Sequence, residues 1–258
     1  MSWCVPSLDG VNEVFAPVVA AAGTRIAEVF GADRLHSAYL YGSIPRGTSI
    51  PGVSDLDLLL ALRREPSRAD REDADRLGSS LDAAFAQIDG AGVLLFSVGT
   101  LLSDLERHDL GWFVACLCTP LLGTDLAPEL PRYRPDALLA RETNGDLELA
   151  LAPWRAQAAS ADSPAERRAL SRGVARRIVR TGLTLVMPRW GGWTSDLPQS
   201  AEVFGRYYPQ RAEQMHQAAT VARTASSDPA VLTMLIEDLG PWLAAEYTTV
   251  HGHKTPRP

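Results

Sequence analysis

The sequence predicts an α/β core built on a small mixed sheet, followed by an all-helical C-terminal domain. Three observations carry this. Short apolar runs at residues 36–41, 55–62 and 93–98 are spaced by a long amphipathic stretch, the order expected of a small sheet covered by helices on one side. From Pro135 onward the periodicity is helical throughout. Between these regions Pro128, Pro131 and Pro135 cluster, placing a boundary near residues 127–136. The expected division is 1–130 for the core, 131–250 for the helices, and 251–258 for a disordered tail.

Taken in order, residues 11–30 repeat apolar side chains at helical spacing, with Val14, Val18, Ile26 and Phe30 facing a core. Pro17 and Gly23 leave a kink or two short helices open, and Gly31 ends the element. The first strand follows at 36–41. An irregular loop containing Pro45, Gly47, Pro51 and Gly52 then leads into the second strand at 55–62. Residues 67–88 form an amphipathic helix through Leu77, Leu81, Ala84, Phe85 and Ile88, closed by Gly90 and Gly92 before the third strand at 93–98. The segment 112–122 is apolar but broken by Pro120, and its pattern assigns it no class.

In the second half, one helix is expected over 136–152, stopped by Pro153. Ser163-Pro164-Ala165-Glu166 is a capping box with proline at the first helical position. It opens a helix that should run to Met187 and end at Pro188. A Gly/Trp loop at 189–195 precedes helices at 197–207, 209–224 and 229–248.

Composition excludes several classes of protein. With 46% hydrophobic and 22% charged residues, the 258-residue chain reads as an ordinary globular protein. It has no uninterrupted apolar run of membrane-spanning length and no signal-like N-terminus, so a cytoplasmic protein without a membrane partner is expected. Its net charge of −6 argues against nonspecific nucleic-acid binding by the whole protein. Cys4, Cys116 and Cys118 are too few and too irregularly spaced for a zinc site or a disulfide framework. The five histidines show no metal spacing. Among the 25 basic residues Lys254 is the one lysine, so cationic roles fall to arginine.

The chemistry concentrates at Tyr39-Leu40-Tyr41-Gly42-Ser43-Ile44-Pro45-Arg46-Gly47 and Ser54-Asp55-Leu56-Asp57. Alternate strand residues share a face, so Asp55 and Asp57 project together, about 7 Å apart. Two neighbouring carboxylates repel, and a divalent cation with a preference for oxygen, such as Mg2+, relieves the conflict. Gly42 permits close backbone approach, and Ser43 adds a hydroxyl and an N–H suited to phosphate. Arg46 lies beside this turn as a further phosphate contact. A phosphate cradle with a metal clamp points to phosphoryl or nucleotidyl transfer.

These residues, Gly42-Ser43, Gly47 and Ser54-Asp55-Leu56-Asp57, resemble the signature of the DNA polymerase beta-like nucleotidyltransferase superfamily, and most of all its small bacterial aminoglycoside nucleotidyltransferases. The resemblance implies a nucleotidyltransferase core, with Asp55 and Asp57 holding Mg2+ and Gly42, Ser43 and Arg46 binding ATP or another nucleoside triphosphate. AMP would pass to a hydroxyl of a small aminoglycoside-like acceptor. The superfamily usually adds a third carboxylate on the next strand, where this chain has Val93 and Leu94. Asp89 precedes that position. Glu142 stands where some related enzymes place a base after the core, and Asp146 is a further candidate.

Arg168, Arg172, Arg176 and Arg180 recur every four residues along one helix face, and their partner is either an anionic ligand or the protein's own acids. Trp190, Trp193, Tyr207 and Tyr208 either pack helices or stack on a base. Two other readings stay open: an antitoxin-like regulatory nucleotidyltransferase acting on protein or RNA, and a nucleotide-binding pseudoenzyme that lacks the third acid.

Overall fold

The computed structural model describes residues 7–257, so Cys4 lies outside the described residues. The chain divides into two compact units, Met1–Arg132 and Tyr133–Pro258.

The first unit is organised on a four-stranded mixed sheet in the order β3-β2-β1-β4. β1 (Leu35–Tyr41) pairs antiparallel with β2 (Leu56–Leu62) and with β4 (Thr119–Gly123), whereas β2 and β3 (Ala91–Ser97) are parallel. Parallel neighbours need a crossover, which is supplied by the 17-residue helix α2 (Arg68–Ala84). Ser67 and Asp70 form a capping box at its start. Helix α1 (Ala16–Arg34) precedes the sheet; Gly31 breaks its regular dihedrals (φ 60°, ψ 170°) three residues before its end.

Helices do not cover the sheet on one side only. Leu40, Leu58, Leu60 and Leu62 pack with Val18, Ile26 and Phe30 of α1 and with Leu77 and Leu81 of α2. The opposite face buries Tyr39, Leu59 and Ala61 against Leu101 of the short helix α3 (Val98–Leu101), Val114 of α4 (Leu110–Leu117), Cys118 and Leu126. Burial on both faces explains why β2 reads Leu-Leu-Leu-Ala-Leu rather than alternating. It also resolves the unassigned segment around Pro120: α4 turns at Cys118 into β4, a strand bonded only to β1, where a proline costs the sheet little. By length and composition α1 passes as a membrane span, but its stripe Val18, Ala22, Ile26 and Phe30 is buried in this core.

The second unit is helical: α5 (Ala137–Asn144), α6 (Leu147–Ser160), α7 (Pro164–Trp190), α8 (Leu197–Tyr207), α9 (Ala212–Arg223), α10 (Pro229–Thr233) and α11 (Gly240–His251), with a π-helical turn at Met234–Leu239. Helix α7 is its axis, buried on every side from Thr181 to Met187.

The expected helix over 136–152 is two helices, broken at Gly145, and Pro153 does not stop the second. Leu147 and Leu151, both before the proline, are the buried residues of α6, which continues to Ser160. Pro188 likewise sits inside α7, close enough to its end to cost one backbone bond. The stop is Gly191 in the left-handed region (φ 72°), whose N–H returns to the Met187 carbonyl at 2.9 Å.

The segment after residue 251 carries no regular element but has defined hydrogen bonds. His251 closes α11 with its Nε2 2.9 Å from the Leu185 carbonyl, and residues 254, 255 and 257 are hydrogen bonded to α5 and the turn after it. Pro258 lies outside the described residues.

Candidate active site

β1 ends at Tyr41, and Gly42 turns the chain with φ +83°, a conformation an L side chain resists. The turn that follows is closed by Gly47 N–H to the Ile44 carbonyl (3.1 Å) and Thr48 N–H to the Ser43 carbonyl (3.1 Å). Ile44 is fully buried and anchors it, while Ser43 is half-buried and Arg46 exposed. Gly47, also at positive φ, lies against Gly10: a methyl group there would meet the Gly10 carbonyl oxygen at 2.7 Å. The N-terminal segment therefore backs the turn. Ser49, farther along the loop, has a buried hydroxyl oxygen with no hydrogen-bond partner.

The two acids arrive from the other side of the pair. Asp57 is the second residue of β2, directly opposite Tyr41, and on its other flank pairs with Gly92 of β3. Asp55 precedes the strand, where Ile50 N–H to Ser54 Oγ (2.8 Å), Asp89 N–H to the Ser54 carbonyl (3.1 Å) and Leu56 N–H to the Gly90 carbonyl (2.9 Å) fix the backbone.

Three glycines lie beside these carboxylates. A methyl group built on Gly42 would stand 2.2 Å from Asp57 Oδ2, one on Gly92 4.0 Å from Asp57 Oδ1, and one on Gly90 3.8 Å from Asp55 Oδ1. Both acids are half-buried, and at Gly42 the backbone approaches Asp57 too closely for any side chain. A donor set of carboxylate oxygens fits a hard cation such as Mg2+.

The structure thus brings Gly42 and Asp57 into contact, with Ser43 next in the turn and Asp55 at the adjoining loop. It brings no third acid to them: β3 presents Gly92, Val93 and Leu94, and among the described residues no group of three or more His, Cys, Asp or Glu forms a metal site. Asp89 is exposed. Two aromatic residues were not read from the sequence: Tyr41, opposite Asp57, stands edge-to-face on Phe113 of α4 with ring centroids 4.9 Å apart. The tyrosine immediately before Gly42 was the available signal.

Glu142 belongs to the second unit, on α5, and is 5% exposed. Burial alone pushes its carboxyl up, but donors from Arg141, Thr255 and Arg257 outweigh it and hold the group below the usual carboxylate range. Asp146 pairs with Arg177 of α7 and with Lys254. Arg168 and Arg180 of the stripe are exposed, and Arg172 and Arg176 half-buried. Tyr208 stacks on Phe204 at 5.2 Å and Tyr207 lies under Arg189 at 4.5 Å, so both take part in contacts within the unit. Cys116 and Cys118 are buried or half-buried thiols, the former pushed up to about 11 by burial. A cavity of about 450 Å³ between α6 and α7, walled by Trp154, Gln157 and Leu170, contains none of the candidate residues.

No protein family and no curated protein matches the chain. Among solved structures it is similar to spectinomycin adenyltransferase AAD(9) from Enterococcus faecialis, determined with ATP and spectinomycin. The likeness has a TM-score of 0.58 at 11% identity and covers 89% of this chain and 99% of that one. The chain therefore shares the fold of that structure, here a four-stranded mixed sheet followed by a helical unit.

Proposed function

We propose that the protein is a magnesium-dependent nucleotidyltransferase that moves AMP from ATP onto a hydroxyl of a small, cationic, aminoglycoside-like acceptor. The observation that carries this is the placement of the Asp57 carboxylate against Gly42, with Asp55 two residues earlier, just before β2. The fold shared with an adenyltransferase determined with ATP and spectinomycin supports the same chemistry.

In this reading Asp55 and Asp57 hold Mg2+. When bound, Mg2+ neutralises charge on the triphosphate and its pyrophosphate leaving group. The Gly42-Ser43 backbone and the Ser43 hydroxyl orient the β and γ phosphates, and Arg46 adds a positive charge beside them. Glu142 is assigned the proton of the acceptor hydroxyl, on the resemblance to enzymes that carry a base after the core. The net charge of −6 favours approach of cationic acceptors.

A second reading, a nucleotide-binding pseudoenzyme, draws on the missing third acid among the described residues. Incubation with ATP labelled in the α-phosphate, Mg2+ and a panel of aminoglycosides, tRNA and proteins separates the possibilities. The transferase reading expects label on a small cationic acceptor. Label on tRNA or protein would redirect it to a regulatory enzyme, and ATP binding without transfer to any of the panel would overturn it in favour of the pseudoenzyme.

A further inference from the structure

The segment after α11 has no regular structure, yet most of its polar groups converge on one short helix. Gly252, at φ +81°, turns the chain out of α11. Lys254 N–H then donates to the Gly145 carbonyl at 3.0 Å, and Lys254 Nζ lies 3.4 Å from Asp146 Oδ2 with its side chain 10% exposed. Thr255 donates twice to Glu142, from its N–H (3.3 Å) and its hydroxyl (2.9 Å), and Arg257 Nη1 donates at 3.2 Å. Arg141 Nε supplies a further bond at 3.0 Å.

The approach is close enough to constrain the sequence: a methyl group on Gly145 would stand 2.7 Å from the Lys254 nitrogen and 3.2 Å from the Gly252 carbonyl oxygen. The break between α5 and α6, which periodicity alone did not foresee, is where the segment lies down. A carboxylate offers about four lone-pair positions. Thr255, Arg257 and Arg141 between them direct four donors at Glu142. A general base must keep one lone pair for the proton it takes.

We propose that residues 252–257 form an autoinhibitory strap, which saturates the Glu142 carboxylate and withholds it from an acceptor hydroxyl until the segment leaves. This rests on the reading of Glu142 as the base. The strap adds no group to the reaction; it competes for the one that accepts the proton. Displacement of Thr255 and Arg257 leaves Arg141 as the remaining donor at that carboxylate.

The test compares the full chain with one ending at His253, and with the full-length double variant Thr255→Val, Arg257→Ala in case the shortened chain folds poorly. Two quantities are read: kcat and KM for AMP transfer from Mg-ATP to spectinomycin, and the titration of the Glu142 carboxyl by carbon-13 NMR. The strap predicts a rise in kcat of about a hundredfold or more, the range by which a positioned base contributes. It also predicts an unchanged KM for ATP and a Glu142 titration moved to higher pH. Unaltered kcat in a shortened chain of normal helicity would overturn it, whether or not the titration moves. If no form transfers AMP to spectinomycin or to any other acceptor of the panel, the transferase reading fails, and the strap fails with it because there is no base to withhold.

Discussion

Gly42 and Asp57 meet across the β1–β2 pair so closely that no side chain fits between them: a methyl group on Gly42 would lie 2.2 Å from Asp57 Oδ2. Ordinary contact needs about 3.5 Å, so Gly42→Ala must push the carboxylate back by roughly 1 Å. The substitution also places alanine at φ +83°, a strained conformation costing about 1 kcal/mol. A displacement of that size at a reacting centre costs about a hundredfold. Gly42→Ala is expected to lower kcat/KM for transfer by about that factor, with a drop of a few degrees in Tm by calorimetry. Near-normal transfer by the variant would separate this glycine from the chemistry.

Ser43 follows in the turn closed by Thr48 N–H on its carbonyl, which leaves its hydroxyl for a ligand in the proposed reading. A hydrogen bond to a charged phosphate contributes about 1.5–3 kcal/mol. Ser43→Ala should therefore raise the Kd for Mg-ATP by about ten- to a hundredfold. The Kd for acceptor should stay within about twofold, since about 0.4 kcal/mol separates values that close. Equilibrium titration with each ligand separately checks both halves.

The sheet edge that carries Gly92 depends on close helix packing. A methyl group on Gly78 of α2 would meet the Ala91 carbonyl oxygen at 2.6 Å, and backbone does not yield as a side-chain tip would. Gly78→Ala gains helix propensity of about 1 kcal/mol but overpacks the α2–β3 contact by about 1–3 kcal/mol. A net loss of stability of up to about 2 kcal/mol is the expected result in urea unfolding. A stabilised variant would contradict the tight packing.

The bonds between Glu142 and residues 255 and 257 carry a pH dependence of definite sign. Burial works against the charged form, and the donors from Arg141, Thr255 and Arg257 more than offset it, so the folded carboxyl titrates below its usual range. Stability from such a group is fully present above the unfolded value and is lost as pH falls through the folded one. The Thr255 amide should stay protected from hydrogen exchange at neutral pH. It should lose protection only in acid, below the usual carboxylate range. Protection that disappeared on raising the pH from neutrality would contradict this account.

Much of the site was legible because its determinants are local. The Gly42-Ser43 turn follows from glycine geometry, and Gly42 does adopt positive φ there; strand period alone did not foresee that Asp57 lies against Gly42 or that Asp55 stands just before the strand. The capping box at Ser163 and the helix Leu197–Tyr207 were equally local. What escaped depends on contacts distant in sequence. The second covering of the sheet comes from α3 and α4; the unbroken Leu-Leu-Leu-Ala-Leu run of β2 points to burial on both faces but not to which elements supply it. Pro153 and Pro188 read as stops, but each stands inside a helix that continues past it. The hydrogen bonds of residues 254 and 255 had no local signal, because their partners, Glu142 and Gly145, stand more than a hundred positions earlier.

The central claim is that Asp55 and Asp57, beside the Gly42-Ser43 turn, hold a metal–triphosphate unit. Isothermal titration of ATP with and without Mg2+, on the wild-type chain and on Asp57→Asn, tests it without an acceptor. The account predicts that Mg2+ strengthens ATP binding to the wild type by at least about tenfold, or about 1.4 kcal/mol. Asp57→Asn, with its fold intact by circular dichroism, should lose that increment. Equal ATP affinity with and without Mg2+, or an increment that survives in Asp57→Asn, would contradict it.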